Sequence, residues 1–217
     1  MKNLKSNIQS HLQLIYKDQN TDALAEKILA LIKAYDTGEL DTARPKWSEE
    51  DTILITYGDS ILGKDEPPLQ SLRRFLDEHL KDSISTVHIL PFFPYSSDDG
   101  FSVVDYLEVN PELGDWEDVE GIGRDFSLMF DLVINHISAD SSWFRKYLQG
   151  ISPYDRFFIE EDLGKDLSEV VRPRSLPLLT RFETNRGDKY VWTTFSPDQV
   201  DLNFRNHKVL MEMIRTL

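Results

Sequence analysis

The chain has 217 residues, of which 40% are hydrophobic and 11% aromatic, so a sizeable core is expected and wholesale disorder is excluded. A formal net charge of −14 argues against a nucleic-acid or anionic-membrane partner, so an anionic ligand needs a local group of arginines. Cysteine is absent, which excludes disulfides and thiolate metal sites. With neither a signal-peptide core nor a membrane-length apolar run, a cytoplasmic location is expected.

Residues 1–50 are predicted to form a helical extension and a linker. Apolar residues recur every three or four positions from Leu4 to Ile15 and again from Leu24 to Tyr35, which predicts two amphipathic helices. Residues 36–51 are polar and are interpreted as the linker. The two helices are expected to be a packing appendage or an interface, and their role is left open.

Residues 51–149 alternate predicted strands and helices. The strands are predicted at residues 52–57, 86–91 and 127–134, and the helices at residues 69–80, 112–124 and 141–149. This alternation is typical of a parallel sheet covered by helices, which places the chain in the α/β class. Because no strand-to-helix turn carries GxGxxG or GxxxxGKS/T, a (β/α) barrel is favoured over a nucleotide-binding doubly wound sheet.

Residues 150–205 interrupt this alternation. They contain several prolines and one clear predicted strand, at residues 190–195, and a segment of this length indicates a small inserted subdomain. Residues 206–217 begin a further helix. Three predicted strands are fewer than the eight of a closed barrel, so we expect the chain to be a fragment. Unpaired strand edges would then make it poorly soluble or molten when it is produced alone.

The second predicted strand runs into a turn that carries two carboxylates, in the stretch Thr86–Tyr106. Its tip is Asp98-Asp99-Gly100-Phe101, and parallel α/β proteins present binding groups at such strand ends. An ionised aspartate can accept two hydroxyls at once, which suits the vicinal diols of a sugar or other polyol, with Phe101 as an apolar platform. The alternative is an Asx turn in which the aspartate caps its own backbone.

The third predicted strand ends in DLVINH, which places Asn135 and His136 at its end. His136 is a candidate hydrogen-bond donor to substrate, general acid/base or metal ligand. A single histidine without a spaced partner is a poor metal site, so neither a metal nor a cofactor is predicted. His88 lies inside the second strand and is predicted to hydrogen-bond within the core.

The inserted segment concentrates positive charge on an otherwise acidic chain. One interpretation is an anion pocket, because arginine pairs with phosphate and carboxylate through two parallel hydrogen bonds. The other is ordinary ion pairing with neighbouring acidic residues such as Glu160 and Glu183. The arginines concerned are Arg172, Arg174, Arg181 and Arg186.

Three stretches together resemble the alpha-amylase superfamily of retaining glycosidases, and more narrowly its sucrose-phosphorylase subgroup: HILPFFPYSSDDGFSVVDY, DLVINH and KYVWTTFSPDQVDLNF. DLVINH matches the family motif DxxxNH, and QVDLN matches a short motif late in the inserted subdomain. The resemblance covers about residues 51–217, and the N-terminal extension and RPRSLPLLT look most like the glucosylglycerate-phosphorylase branch. It implies the N-terminal part of a (β/α)8 TIM barrel, with a small domain B inserted after strand 3.

The resemblance also implies a reaction. An aspartate nucleophile forms a β-glucosyl enzyme, a glutamate acts as acid/base, and phosphate takes the glucosyl group as α-glucose 1-phosphate. By motif, Asp98 and His136 would hydrogen-bond the glucosyl ring and Phe101 would line its pocket. Asp131 and Asn135 would hold the geometry of the strand end. The expected ligands are therefore an α-glucoside and inorganic phosphate, without nucleic acid or membrane.

The resemblance also shows where this sequence matches the phosphorylase pattern and where it departs from it. Arg174, in RPR, matches an arginine that contacts phosphate in the sucrose enzymes, and we hypothesise that Arg181 helps to hold the acceptor. The nucleophile and the acid/base would follow Leu217, so no catalytic residue is assigned here and the chain alone is expected to be inactive. Leu178 replaces an aromatic residue of the sucrose enzymes, which argues against sucrose as the donor. A hydrolase or transglucosylase and a non-catalytic sugar-binding relative remain alternatives.

Overall fold

The computed structural model describes residues 2–17, 19–35, 48–171 and 174–217. The chain forms two compact units, one of Met1–Pro45 with Asn203–Leu217 and the other of Lys46–Leu202. Most of the predicted linker at residues 36–51 and the side chain of Arg172 lie outside the described residues. In the described ranges, none of the helices combines the length and apolar character that crossing a membrane requires.

The regular elements follow the predicted order with differences in their bounds. The helices are α1 (Lys2–Ile15), α2 (Thr21–Tyr35), α3 (Pro68–His79), α4 (Trp116–Gly123), α5 (Ser142–Leu148) and α6 (His207–Thr216). The strands are β1 (Ile53–Thr56), β2 (Thr86–Ile89), β3 (Ser127–Phe130), β4 (His136–Ser138), β5 (Leu179–Thr184), β6 (Gly187–Trp192) and β7 (Gln199–Asp201).

The helical unit is built from α1, α2 and α6. Both predicted N-terminal helices and the predicted C-terminal helix are confirmed, and their apolar faces meet in one core. The predicted apolar face of α1 is wrong at Leu4 and Ile15, which are exposed. The helix ends at Ile15, and the ring of Tyr16 turns inward and fills the buried position instead. The buried residues of this core are Leu12, Tyr16, Leu24, Ala25, Ile28 and Met211.

The second unit contains the predicted parallel sheet. Its order is β1-β2-β3, with Ile53 beside Thr86 and Thr86 beside Ser127. The central strand is the most deeply buried, since Val87 and Ile89 are fully covered, as expected for a parallel strand with helices packed nearby. The predicted alternation of strands and helices is thus confirmed in residues 51–149.

The fourth helix is shorter than predicted at residues 112–124. Asp115 and Asp118 form a reciprocal capping box, in which each carboxylate accepts from the other residue's backbone N–H. This cap fixes the start of α4 at Trp116. The preceding residue, Gly114, has φ of +144°, and a side chain there would meet the Asp118 carboxylate.

The third strand is also shorter than predicted at residues 127–134, because it ends at Phe130. Its neighbour β2 pairs Ile89 with Phe130, and Pro91 follows two residues later without an N–H to continue the ladder. The chain therefore leaves the sheet. His136 does not end β3 but opens β4, which pairs antiparallel with β7.

The inserted segment carries a β-hairpin that was only half predicted. The strand expected at residues 190–195 is β6, displaced to Gly187–Trp192, and its partner β5 was missed. Gly187 has φ of +89° and closes the hairpin next to Thr184. Phe182 of this hairpin packs edge-on against Phe144 of α5, with ring centroids 4.7 Å apart.

Candidate functional site

The turn after β2 has an unusual backbone. Asp98, Asp99 and Gly100 form a single 3-10 turn with φ of 58°, 49° and 100°, so three consecutive residues are left-handed. Non-glycine residues seldom adopt this conformation, although aspartate and asparagine tolerate it best. A side chain at Gly100 would lie 2.5 Å from the Pro91 carbonyl oxygen. Neighbouring groups must therefore hold this turn in place.

Gln199 meets that turn from β7. Its side chain is 1% exposed, and its Nε2 donates to Asp98 Oδ2 at 2.9 Å and to the Phe101 carbonyl oxygen at 3.3 Å. The pairing of β7 with β4 sets Gln199 opposite Ser138 and His136 opposite Asp201, so Gln199 and His136 are diagonal neighbours on one face of the pair. Sequence reasoning missed Gln199. Its signal was a polar amide at the start of the QVDLN motif.

His136 completes this group. Its ring is buried, and Nε2 lies 2.9 Å from the Phe101 carbonyl oxygen, so we assign the proton to Nε2 as the donor. Gln199 Nε2 is 3.1 Å from the same ring nitrogen, but two N–H groups cannot bond each other, so its hydrogens go to Asp98 and Phe101.

Two buried acceptors of this group have no partner among the described residues: His136 Nδ1 and Gln199 Oε1. Unpaired buried polar atoms are costly, so such atoms mark a place where a ligand with hydrogen-bond donors can gain affinity. We call Asp98, the Phe101 carbonyl, His136 and Gln199 the Asp98 cluster.

Asp201 lies directly opposite His136 in the β4–β7 pair. Burial raises the pKa of its carboxyl, and hydrogen bonds from the hydroxyl and N–H of Thr194 partly oppose that rise. Both Thr194 contacts are to the carboxylate oxygens, so Asp201 is held as part of the fold behind His136.

Asp131 and Asn135, the two predicted support residues, each accept a hydrogen bond from another part of the chain. The Asp131 carboxylate accepts from His88 Nε2 at 2.8 Å, and this contact agrees with the prediction that His88 hydrogen-bonds within the core. The Asn135 carbonyl accepts from the N–H of Leu202 at 3.0 Å and so extends the β4–β7 pairing by one bond. Tyr106 donates to the Val133 carbonyl between them, and burial raises the pKa of its hydroxyl.

The arginines divide into two groups. Arg174 Nη2 lies 3.4 and 3.5 Å from the two carboxylate oxygens of Asp98, which makes a long and partly exposed contact. Arg181 instead pairs with Asp188 at 2.6 Å, and Arg186 with Glu160 at 3.0 Å. The structure thus brings Arg174 to the Asp98 cluster, whereas Arg181 and Arg186 make the ion pairs of the alternative interpretation.

Asp99 lies beside a different set of residues from those that contact Asp98. It lines a separate cavity of about 330 Å³ at the ends of β1 and β2, together with Tyr57, Asp59, Tyr95 and Glu112. The carboxylate of Asp98, and not that of Asp99, therefore belongs to the cluster with His136.

Within the described residues, no group of three or more histidine, cysteine, aspartate or glutamate side chains could hold a metal ion.

Residues 78–217 match the family model of the alpha amylase catalytic domain. The chain therefore belongs to the alpha-amylase family, and the matched range contains every residue of the Asp98 cluster.

The similar proteins include glucosylglycerate phosphorylases. That of Allomeiothermus silvanus is 51% identical over 215 residues, which is 99% of this chain and 38% of that protein. That of Spirochaeta thermophila is 57% identical over 176 residues, or 81% of this chain and 30% of that protein. The chain thus spans less than two fifths of the length of these curated relatives.

A solved structure gives the same picture of the fold. The sucrose 6F-phosphate phosphorylase of Thermoanaerobacter thermosaccharolyticum has a TM-score of 0.70 and 30% identity, with 78% of this chain and 37% of that chain covered. These matches confirm the expected resemblance and the expected fold class, an incomplete TIM barrel of the alpha-amylase family.

Proposed function

We propose that the protein containing this chain is a disaccharide phosphorylase that transfers a glucosyl group from an α-glucoside to phosphate with retention. A carboxylate nucleophile displaces the leaving alcohol, and phosphate then displaces that carboxylate to give α-glucose 1-phosphate. The names of the similar phosphorylases support the reaction class. The single observation that carries the proposal is the Asp98 cluster, in which a carboxylate and two unpaired acceptors lie together in an alpha-amylase domain.

The cluster suits a glucosyl ring because the ring offers several hydroxyl donors. Asp98 Oδ2 already accepts from Gln199, which leaves Oδ1 for a sugar hydroxyl, with only the long Arg174 contact to compete. His136 Nδ1 and Gln199 Oε1 would accept further hydroxyls. A site made of acceptors favours a neutral polyol over an anion, so this part binds the sugar and not the phosphate.

Phosphate requires a cation, and Arg174 is the best placed. Its 3.4 Å contact with Asp98 is long for a charge-assisted hydrogen bond, so the guanidinium can turn to a second anion at little cost. Arg181 would first have to leave Asp188, to which it lies at 2.6 Å. We therefore assign phosphate contact to Arg174 and retain Arg181 only as a candidate for the acceptor.

The donor is proposed to be glucosylglycerate and not sucrose. The 51% and 57% identical relatives carry that name, which supports this donor. Leu178, which the resemblance sets against an aromatic residue of the sucrose enzymes, is 4% exposed, so its side chain packs in the interior and does not by itself select the donor. A cytoplasmic location is part of this proposal and fits the absence of cysteine.

The test is phosphate-dependent release of α-glucose 1-phosphate from glucosylglycerate by the full-length protein. Product that forms only with phosphate supports the phosphorylase. Free glucose at the same rate without phosphate would indicate the hydrolase, and sugar exchange without phosphate would indicate a transglucosylase. No turnover of glucosylglycerate or sucrose would leave the non-catalytic sugar-binding alternative. The isolated 217-residue chain is the matched sample that we expect to be inactive.

A further inference from the structure

Asp198, which immediately precedes Gln199, gathers three serine hydroxyls. Its Oδ2 accepts from Ser96 at 2.6 Å, from Ser97 at 2.6 Å and from Ser102 at 2.7 Å. Two of these serines precede the left-handed turn at residues 98–100, and the third follows it. One carboxylate oxygen thus contacts both ends of the substrate-binding turn.

The turn is the tip of a loop whose two ends are hydrogen-bonded to each other, and we call these bonded ends the base of the loop. Asp198 contacts this base. Backbone bonds link the N–H of Ser96 to the Ser102 carbonyl at 3.1 Å and the N–H of Ser102 to the Ser97 carbonyl at 3.3 Å. Between those ends, Asp98 and Asp99 hold positive φ values that non-glycine residues seldom keep without external contacts. The carboxylate of Asp198 supplies those contacts from a different part of the chain.

Hydrogen bonds also connect Ser96 to β4, the strand that carries His136 and pairs with the strand of Gln199, and Asp198 to the residue that follows β4. The Ser96 and Ser138 hydroxyls lie 2.6 Å apart, and the Asp198 carbonyl accepts from Ala139 N–H at 2.7 Å. Since Ser96 has one hydroxyl hydrogen, which it gives to the carboxylate, Ser138 donates to Ser96. Ser102 and Ser138 are fully buried, so water does not replace these bonds.

The carboxyl of Asp198 is held in its ionised form. Burial raises its pKa, but the hydrogen bonds from Ser96, Ser97 and Ser102 outweigh burial, so the pKa lies below its usual range. An anion that accepts three hydroxyls is a stronger anchor than a neutral amide of the same shape, which offers a weaker acceptor.

We infer that Asp198 is a positioning residue, which holds the turn at residues 98–101 so that Asp98 meets Gln199 and His136 in the geometry that binds the glucosyl ring. The inference rests on the proposed function for its kinetic consequence. Asp198 touches no substrate in this account and acts through Asp98, because its bonds end on the residues that flank that turn.

The test uses the full-length protein with Asp198→Asn and with Ser96, Ser97 and Ser102 all changed to Ala. We expect both variants to raise KM for the glucosyl donor about 10- to 100-fold, as misplacement of a binding group does. KM for phosphate should change less. Asp125→Asn is the matched control, because this exposed aspartate pairs with Lys81 and should leave both constants unchanged.

A double-mutant cycle separates positioning from general loss of structure. If Asp198 acts through Asp98, Asp198→Asn should cause almost no further loss in an Asp98→Asn background. Fully additive losses would overturn the inference, because they would show that Asp198 acts independently of Asp98. Donor KM within twofold of wild type for Asp198→Asn would overturn it as well.

A second readout does not depend on catalysis. Amide hydrogen exchange in the peptide that spans residues 96–103 should be faster in Asp198→Asn than in wild type or Asp125→Asn. Unchanged exchange would overturn the inference whatever the activity. If wild type releases no α-glucose 1-phosphate, the proposed function fails. Exchange and the affinity for D-glucose, measured by calorimetry, then test the inference, which is overturned if Asp198→Asn leaves either of them unchanged.

Discussion

Two polar clusters of the second unit each join a carboxylate to an arginine, yet they differ in how completely they are paired. The Glu160 cluster consists of Glu160 with Tyr147, Arg186 and Lys189, each of which donates to the carboxylate at 3.0 Å. In the Asp98 cluster, the arginine contact is 3.4 Å long, and two buried acceptors have no partner among the described residues.

The pKa of Glu160 reflects these contacts. Burial raises this pKa, but hydrogen bonds from Lys189 and Tyr147 and the charges of Lys189 and Arg186 outweigh burial, so the carboxyl ionises below its usual range. The contrast teaches that a basic and acidic cluster alone does not identify a site. Unused hydrogen-bonding capacity in a buried place is a better indicator when several such atoms lie beside a carboxylate, because a ligand can supply what the protein leaves unpaired.

The largest effect is expected at His136. His136→Ala in the full-length protein should lower kcat/KM for the donor about 100-fold, since a buried group that meets the transition state is lost. Steady-state phosphorolysis measures this, and circular dichroism checks that the variant is folded. His79→Ala is the control, because the contacts of this exposed histidine, with Glu78 at 3.9 Å and with the Phe75 ring, lie within α3 and outside the Asp98 cluster. Equal kcat/KM for His136→Ala and wild type would remove His136 from the site.

Arg174→Ala should raise KM for phosphate about tenfold and KM for the donor less, because one charge-assisted contact is worth about 1.5–3 kcal/mol and this one is partly exposed. Initial rates at varied phosphate give both constants. Arg186→Ala sharpens the comparison, since it belongs to the Glu160 cluster and should leave KM for phosphate unchanged. Unaltered phosphate kinetics in Arg174→Ala would refute the assignment.

Glu160→Gln should lower the free energy of unfolding by about 1 kcal/mol at pH 7, a figure reduced for partial exposure. The pKa of Glu160 is lower in the folded state, so its stabilising effect is present above the unfolded pKa of about 4.3 and is lost as pH falls through the folded value. Calorimetric melting at pH 7 and below pH 4 measures this. A difference that grows toward acid pH would contradict the assignment.

The smallest effect concerns the helical unit, where Tyr16 donates its hydroxyl to the Phe204 carbonyl at 2.8 Å. Tyr16→Phe should lower the melting temperature by the equivalent of about 0.5–1 kcal/mol, since one neutral hydrogen bond is lost. Tyr35→Phe makes the same chemical change at an exposed position and should have no effect. If both variants melt alike, the Tyr16 bond contributes nothing to stability.

Much of the fold could be predicted because periodicity reports burial. The apolar runs around Val87 and Leu128 identified parallel strands, and the spacing of Leu69, Leu72 and Leu76 identified a helix. The strand end after Phe130 could not be predicted, because it depends on Pro91 in a neighbouring strand that is distant in sequence.

The site was only partly predictable for a similar reason. Asp98 and His136 follow apolar runs and carry a family motif, so both could be singled out from the sequence alone. Gln199 opens, and Asp198 immediately precedes, a strand of three residues that exists because it pairs with β4, about 60 residues earlier in the chain. The sequence also does not show that Arg181 pairs with Asp188, because this partner lies on the other strand of the hairpin.

The central claim is that the Asp98 cluster serves a ligand and the Glu160 cluster serves the fold. The most direct test is a comparison of Asp98→Asn with Glu160→Gln in the full-length protein, with kcat/KM for glucosylglycerate and melting temperature measured on the same samples. Asp98→Asn should lower kcat/KM about 100-fold without lowering the melting temperature, since asparagine tolerates positive φ. Glu160→Gln should lower the melting temperature and keep kcat/KM within about twofold. The reverse pattern, or loss of both properties in both variants, would contradict the claim.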